Sequence, residues 1–273
     1  MSEIDFYKLV ASGNDFVVVD NRQRLIRDPK SFAKKVCTPH VGVAADGILL
    51  VEPSRNADFT MRIINSDGSE AEACGNGYRC ISLYANRVLG FSSRMSFETL
   101  AGIIQAEVRS ESIKVQMAEP KDYQTDICLN VNGRSLKADF INTGVPHAVI
   151  FVEGVEKIPA YELGREIRYH KTFEPKGTNV NFVEVTGENS LHIRTYERGV
   201  ENITLACGSG AVASAICASF KRMVKQPVQV LTKSGEIIQV TFSLKNNKPT
   251  QVFLEGRADF VYQGKLLMKD LEK

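Results

Sequence analysis

The sequence predicts an α+β fold made of two similar, pseudo-symmetric domains, each a mostly antiparallel or mixed β-sheet rolled into a barrel around a central helix. Three observations lead to this prediction: a five-residue motif that occurs twice, short β-branched runs that outnumber helical ones, and a helical pattern after each copy of the motif. An active site is expected in the cleft between the two domains, because ligand sites favour domain interfaces.

The composition is that of an ordinary globular protein. The chain has 273 residues, of which 43% are hydrophobic and 24% charged, and its net charge is +2. A chain of this size buries roughly three quarters of its unfolded surface, so it needs no disulfides for stability. The near-neutral charge and the scattered basic residues argue against nucleic acid or an anionic membrane as a partner.

The sequence also predicts a cytoplasmic protein. Its N-terminus lacks the basic and apolar segments of a secretory signal, and no apolar run approaches the roughly 20 residues of a membrane helix. None of the six cysteines forms a C-x-x-C pair, so neither a zinc site nor a thioredoxin-type motif is expected. In a reducing cytosol these cysteines are thiols by default.

The internal repeat rests on three ordered matches. The motif ACGNG at residues 73–77 returns as ACGSG at residues 206–210, at an offset of 133 residues. T-x-x-G turns at residues 99–102 and 232–235 share that offset, and both precede similar strands. Upstream, residues 12–16 match residues 143–147 at an offset of 131. Together these matches predict a duplicated domain.

Domain boundaries follow from the repeat. The first repeat is placed at residues 1–120 and the second at residues 121–261, because the polar stretch between 120 and 133 carries turn residues. Residues 262–273 exceed the second repeat, and we expect them to return to the first domain.

Strands are predicted wherever β-branched or alternating runs occur, at residues 17–19, 48–51, 113–117, 149–152, 179–185 and 237–242. The helix after Cys74 has one apolar face and ends near Gly90. The helix after Cys207 is apolar almost all round, so we expect it to be buried.

Each repeated motif places a cysteine, Cys74 or Cys207, at a strand-to-helix turn. Free N–H groups and the helix dipole favour an anion there, which can be a reactive thiolate or a substrate carboxylate. A single cysteine beside glycines is more often a small buried residue than a catalyst. Two of them in facing domains would lie on opposite sides of one ligand, and inversion of a stereocentre by proton transfer needs that arrangement.

The segments around both cysteines resemble the diaminopimelate epimerase family, and the resemblance covers nearly the whole chain. It is carried by residues 65–80 (NSDGSEAEACGNGYRC) and by residues 196–200 (YERGV) through 207–210 (CGSG). Further matches occur in the family's order, at residues 13–16 (GNDF), residues 146–147 (PH), Asn179, Phe182 and residues 261–262 (VY).

The resemblance implies a cofactor-independent, metal-free epimerase that interconverts LL- and meso-2,6-diaminopimelate in lysine and peptidoglycan biosynthesis. One of Cys74 and Cys207 would be the thiolate base and the other the thiol acid, with His147 and Glu197 assisting. Substrate contacts are implied for Asn14, Asn65, Gly75, Asn76, Asn179, Glu197, Arg198, Gly208 and Ser209. Tyr262 resembles the family's dimer-contact tyrosine, so a homodimer is expected.

The chemistry of these residues suits that substrate. Diaminopimelate carries two ammonium and two carboxylate groups, which need acceptors such as Asn and Glu and a donor fork such as Arg198. Two positions depart from the family: Val145 stands where many members have Asn, and Gly47 where they have Gln. Both departures remove an amide partner, so contacts to the distal end of the substrate stay open.

Other functions also remain open. A related two-cysteine racemase acting on another amino acid would have the same catalytic pair. Proline racemases and hydroxyproline epimerases are disfavoured, because they usually have His where this chain has Asn76. Phenazine-type isomerases are disfavoured as well, because they lack the paired cysteines. A pyridoxal-phosphate racemase would need a Schiff-base lysine, which no motif requires. Outside catalysis, the chain could bind basic amino acids, or Cys74 and Cys207 could be a redox-sensing pair.

The remaining cysteines and histidines have no matching context. We expect packing roles for Cys37, Cys80, Cys128 and Cys217, and structural or surface roles for His40, His170 and His192.

Overall fold

The computed structural model describes residues 3–267, which separate into two compact units. The first unit holds the described residues up to Val115 and from Gly256 onward, and the second holds Gln116–Glu255. Residues 268–273, the end of the predicted C-terminal return, lie outside the described residues.

The elements of the first unit are β1 (Glu3–Ala11), β2 (Asn14–Asp20), α1 (Pro29–Val36), β3 (Gly47–Glu52), β4 (Phe59–Asn65), α2 (Gly75–Arg87), β5 (Arg94–Thr99), β6 (Gly102–Val108) and β7 (Ile113–Gln116). The elements of the second unit are β8 (Lys121–Val131), β9 (Arg134–Asn142), β10 (Pro146–Phe151), α3 (Ala160–Arg168), a 3₁₀ turn (Lys171–Phe173), β11 (Asn179–Gly187), β12 (Ser190–Glu197), β13 (Asn202–Ile203), α4 (Gly208–Phe220), β14 (Val228–Leu231), β15 (Ile237–Lys245) and β16 (Lys248–Gly256). The last strand, β17 (Asp259–Leu267), belongs to the first unit.

Both units pair their strands in the same order. Neighbouring strands run β17-β1-β2-β3-β4-β5-β6-β7 in the first unit and β8-β9-β10-β11-β12-β14-β15-β16 in the second. In each series the third and fifth pairings are parallel and the others antiparallel. This shared pattern is the structural form of the repeat, and the predicted α+β class with two similar domains is confirmed.

Helices make the parallel pairings possible, because parallel neighbours need a crossover connection. In chain order, α1 joins β2 to β3 and α2 joins β4 to β5, while α3 joins β10 to β11 and α4 lies between β12 and β14. Strands covered on both faces read as continuous apolar runs. Accordingly Ile48, Leu49, Leu50 and Val51 of β3 are all fully buried.

The first unit is completed by the far end of the described chain. Strand β17 pairs antiparallel with β1, with Lys8 opposite Tyr262, and so takes the place that β8 has beside β9. The first unit is therefore discontinuous in sequence, while the second is one continuous stretch.

A helix that begins at a repeated cysteine lies at the centre of each unit. α2 contacts β1, β2, β3 and β6, and α4 contacts β9, β10, β11, β12, β14 and β15. Residues 210–218 of α4 are buried without interruption, which confirms the predicted buried helix.

The sheet curls around these helices but is not closed, so the predicted barrels are wrong. The physical reason is size. An eight-stranded barrel has room inside only for side chains, whereas a helix with its side chains is about 10 Å across. A sheet of this size that wraps a helix must stay open.

The remaining local predictions are largely confirmed. Each predicted strand overlaps an observed one, although residues 113–117 and 149–152 extend one residue past the ends of β7 and β10. Cys37, Cys80 and Cys217 are buried. The packing role predicted for Cys128 is wrong, because this side chain is exposed on β8, where alternate residues face solvent.

The contact between α3 and β12 gives a test of packing. A Cβ at Gly164 would lie 2.5 Å from the Cβ of Tyr196, so Gly164→Ala must push the helix off the strand. We expect a loss of about 2 kcal/mol in the free energy of unfolding, which exceeds the roughly 1 kcal/mol that alanine gains over glycine in a helix. Urea denaturation measures it, with the exposed Glu166→Ala of the same helix as control. An alanine variant as stable as the wild type would contradict the close contact.

Candidate active site

Cys74 is the residue that caps the N-terminus of α2. Its backbone is extended, with φ −155°, and its Sγ accepts a hydrogen bond from the Gly77 N–H at 3.4 Å. A Cβ at Gly77 would lie 3.2 Å from Met61 Cε and 3.3 Å from Leu49 Cδ2, so glycine lets the helix start approach the sheet. The thiol therefore lies among the unpaired N–H groups of a helix start.

Two predicted substrate-binding residues, Asn14 and Asn76, surround Cys74. The Asn14 Oδ1 lies 3.7 Å from Cys74 Sγ and 3.5 Å from Asn76 Nδ2. The Asn14 Nδ2 donates to Asp46 Oδ2 at 2.5 Å. The structure thus brings Asn14 next to Cys74 and Asn76 of the repeated motif.

Arg79, which the sequence analysis missed, holds this group in place. Its guanidinium is fully buried and donates to Asn76 Oδ1 and Ser12 Oγ, both at 2.7 Å, and to the Arg257 carbonyl at 2.9 Å. Because a guanidinium only donates, the Asn76 oxygen must face it and the Asn76 NH₂ must face Asn14. The sequence does contain a signal for Arg79: it is a charged residue three positions after Asn76, on the buried face of α2.

Asn65 lies at the end of β4. It is exposed, and its Nδ2 donates to Ser69 Oγ at 2.9 Å. Its strand partner is Gly47, where an added Cβ would lie 2.6 Å from the Ile64 carbonyl oxygen. The backbone of this strand pair therefore leaves no space for a side chain at Gly47.

Cys207 occupies the equivalent cap of α4 and is 5% exposed. Its Sγ lies 3.5 Å from the Ser209 Oγ, and that hydroxyl lies 3.0 Å from His147 Nε2. The Thr143 hydroxyl donates to the Ser209 carbonyl at 3.2 Å and so ties the helix start to the segment before β10. The predicted residues Cys207, Ser209 and His147 therefore form one connected group.

The His147 imidazole is fully buried on β10. Burial, assisted by the positive charge of Arg198, lowers its pKa to about 3. The ring is therefore neutral at physiological pH. Its Nδ1 lies 3.1 Å from the Nδ2 of Asn181.

Asn179 and Arg198 form a second group beside His147, because Asn179 is the strand partner of His147. The Asn179 Oδ1 accepts from the Arg198 N–H at 2.8 Å, and its Nδ2 donates to the Pro146 carbonyl at 2.9 Å. Glu197, at the end of β12, is half-buried, and burial raises the pKa of its carboxyl.

Asn181 and Thr195 were missed by the sequence analysis. Both are buried, and the Thr195 hydroxyl donates to Asn181 Oδ1 at 3.0 Å. Asn181 follows Asn179 by two residues, which places both side chains on one face of β11. The sequence signal for Asn181 is that it and Asn179 are two polar residues at strand spacing in an otherwise apolar run.

Within residues 3–267, no three His, Cys, Asp or Glu side chains converge in a way that could hold a metal ion. No helix in the same range is both long enough and apolar enough to cross a membrane.

This fold of two similar α+β units is shared with other proteins of solved structure. A Bacillus anthracis phenazine biosynthesis protein of the PhzF family superposes with a TM-score of 0.75 at 17% identity, over 98% of this chain and 100% of that one. A hydroxyproline epimerase from Agrobacterium vitis superposes with a TM-score of 0.71 at 16% identity, over 98% and 93%. Identities this low establish the shared fold alone.

Sequence comparison then identifies the family. The family model described as diaminopimelate epimerase matches residues 6–122 and 140–261. The diaminopimelate epimerase of Aquifex aeolicus (strain VF5) is 45% identical, over 98% of this chain and all of the relative. That of Hydrogenobaculum sp. (strain Y04AAS1) is 41% identical, over 95% and 97%. The chain belongs to the diaminopimelate epimerase family, whose members are isomerases.

The neutral, buried His147 predicts a loss of stability in acid. The unfolded chain binds a proton at the ordinary histidine pKa of 6.5, whereas the folded ring does so only near pH 3. Stability is therefore complete above pH 6.5 and declines towards pH 3, by up to about 1.4 kcal/mol per pH unit from this ring. Urea denaturation across this range should show a shallower decline in His147→Gln. Equal slopes for the two proteins would contradict the lowered pKa.

Proposed function

We propose that this chain interconverts LL- and meso-2,6-diaminopimelate by a two-thiol proton transfer at the α-carbon, with Cys74 and Cys207 as the acid–base pair. Family membership supports the substrate and the reaction. The observation that carries the mechanism is that each unit places a cysteine as the cap of its central helix, in the same motif.

The proposed step balances in protons and electrons. A thiolate removes the α-hydrogen as a proton, and the electrons of the broken C–H bond stay on carbon as a carbanion. The other cysteine then gives its thiol proton to the opposite face of that carbon and becomes the thiolate. Inversion therefore leaves the two cysteines with their roles exchanged, ready for the reverse reaction.

The carbanion needs stabilisation, because the α-hydrogen of an amino acid is weakly acidic. Its charge spreads into the adjacent carboxylate, which preorganised N–H groups stabilise. The N–H groups at the starts of α2 and α4, at Gly75 and Asn76 and at Gly208 and Ser209, are assigned this role. Helix starts bind anions because these groups lack intrahelical partners.

The rest of the substrate is zwitterionic. Asn14, Asn65, Asn179 and Glu197 are assigned to its ammonium groups as acceptors, and Arg198 to a carboxylate as donor. Specificity for the distal end is assigned to backbone and other side chains, because Val145 and Gly47 offer no amide there.

We further propose that the enzyme works in the cytoplasm, in lysine and peptidoglycan biosynthesis. The mechanism supports this location, since both cysteines must stay reduced and the cytoplasm keeps thiols reduced.

A homodimer is part of the proposal. Its support is on β17, where the large apolar residues Phe260, Val261 and Tyr262 are 39%, 55% and 46% exposed. The Tyr262 ring packs edge-on against Phe6 and its hydroxyl donates to the Val43 carbonyl at 3.4 Å, so the side chain is held in a fixed orientation. Ordered, exposed aromatic residues on a strand suit a protein interface.

The mechanism predicts the effect of removing either thiol. We expect Cys74→Ala and Cys207→Ala each to lower α-deuterium incorporation from D₂O into LL-diaminopimelate on the order of a thousandfold, since each removes one acid–base group. Cys80→Ala in α2 and Cys217→Ala in α4 are matched controls, because these buried cysteines lie in the same helices. They should retain exchange.

The outcomes separate the candidate functions. Exchange with inversion that both variants lose establishes the two-thiol epimerase. Exchange into another amino acid alone keeps the mechanism and moves the substrate. No exchange by the reduced protein would overturn the proposal in favour of a redox-sensing or binding protein.

The dimer prediction is tested by analytical ultracentrifugation. We expect twice the 30.2 kDa of one chain, and about a thirtyfold weaker association in Tyr262→Ala, which is the effect of losing about 2 kcal/mol at an interface. Tyr161→Ala is the control, because that tyrosine is 43% exposed but lies in the second unit. A wild-type monomer at working concentrations would remove the dimer from the proposal.

A further inference from the structure

The orientation of the Asn181 side chain is fixed by its neighbours. Its Nδ2 lies 3.0 Å from the Ala148 carbonyl oxygen, which only accepts, so the amide nitrogen must face that atom. Its Oδ1 accepts from the Thr195 hydroxyl at 3.0 Å. The second N–H of the amide is then left for His147 Nδ1, at 3.1 Å.

This orientation determines the tautomer of His147. Since Asn181 donates to Nδ1, that atom carries no hydrogen, and the single proton of the neutral ring is on Nε2. The Nε2–H therefore donates to the Ser209 Oγ, which lies 3.0 Å away.

The chain of donors ends at Cys207. Because the Ser209 oxygen receives a hydrogen from His147, its own hydrogen is available to another acceptor, and Cys207 Sγ lies 3.5 Å away. Asn181, His147 and Ser209 thus all donate in the direction of the sulfur. Hydrogen bonds that end on an ionised acceptor are about twice as strong as neutral ones, so this polarity favours a thiolate.

Gly210 allows the helix start to lie against this chain. A Cβ there would be 2.3 Å from the Asn181 Oδ1 and 3.3 Å from the Cys207 Sγ. Any larger residue would displace the amide or the sulfur.

The side-chain partner of Cys74 is an acceptor, whereas the partner of Cys207 is a donor. The Asn14 Nδ2 donates to the Asp46 carboxylate, so the Asn14 oxygen is the atom that faces Cys74 Sγ, at 3.7 Å. An oxygen acceptor there favours a thiol that donates its S–H. The Gly77 N–H also reaches this sulfur, at 3.4 Å, and its hydrogen bond is compatible with either form.

We propose that Asn181 is a positioning residue that sets the His147 tautomer, and that the donor chain it starts makes Cys207 the thiolate and leaves Cys74 the thiol in the resting enzyme. The inference rests on the proposed function for its catalytic meaning. The resting enzyme then accepts first the isomer whose α-hydrogen faces Cys207.

The experiment measures the rate of alkylation of each cysteine by iodoacetamide from pH 5 to 10, resolved by peptide mass spectrometry. The pH at half-maximal rate is compared, because it reports ionisation independently of access to the thiol. We expect a lower value for Cys207 than for Cys74. Ser209→Ala should lower Cys207 alkylation at neutral pH about tenfold and leave the Cys74 profile in place.

Two variants test the origin of the effect. Asn181→Asp replaces the donor to Nδ1 by a carboxylate, which reverses the tautomer and should reproduce the loss seen in Ser209→Ala. Ser209→Thr keeps a hydroxyl and should restore the wild-type profile. Ser214→Ala is the matched control, because this buried hydroxyl of α4 donates to the Gly210 carbonyl and should leave the Cys207 profile unchanged.

A spectroscopic measurement covers the case in which Asn181→Asp does not fold. Two-bond ¹⁵N–¹H correlation spectra of the wild type should show His147 as the neutral Nε2–H tautomer. An Nδ1–H tautomer, equal half-maximal pH values for the two cysteines, or an unchanged Cys207 profile in Ser209→Ala would each overturn the inference. None of these readouts needs turnover, so a protein without α-deuterium exchange would refute the proposed function separately.

Discussion

The first turn of each central helix leaves N–H groups without intrahelical partners. In both units a cysteine stands at this helix start, and the surrounding sheet holds it there. A helix enclosed by a curled sheet cannot expose its first turn freely to water, so these groups need a cap or a ligand. In α2 the Cys74 sulfur accepts one such hydrogen bond, from Gly77. The sheet supports this arrangement through parallel pairings, since a crossover connection brings the helix back over the strands it leaves.

Buried polar side chains are costly unless they have partners, and hydrogen bonds hold several such side chains beside both cysteines. Arg79 illustrates it in the first unit, because three acceptors surround a guanidinium that has no exposed surface. Asn181 illustrates it in the second, where its amide is matched to a carbonyl, a hydroxyl and an imidazole. Such networks hold side chains in one orientation, which a proton-transfer site requires.

The duplication preserves the scaffold while the polar partners diverge. Strand order and the positions of the parallel pairings are the same in both units, and both central helices begin at the first glycine of a Cys-Gly-x-Gly motif. Beside Cys74 the partner is the amide oxygen of Asn14, and beside Cys207 it is the hydroxyl of Ser209 backed by His147. Both Asn14 and His147 lie at the beginning of equivalent strands, β2 and β10. A symmetric fold has therefore acquired two chemically different thiol environments.

Local patterns in the sequence determined the duplication, the α+β class, the two helix-capping cysteines and the buried character of α4. Each of these depends on spacing along the chain, which is visible without coordinates. Tertiary structure alone decided the open sheet, because closure depends on whether the enclosed space can hold a helix. It also decided the roles of Arg79, Asn181 and Thr195, whose hydrogen-bond partners are distant in sequence. The direction of a hydrogen bond depends on which atoms face each other, and only the packed structure sets that.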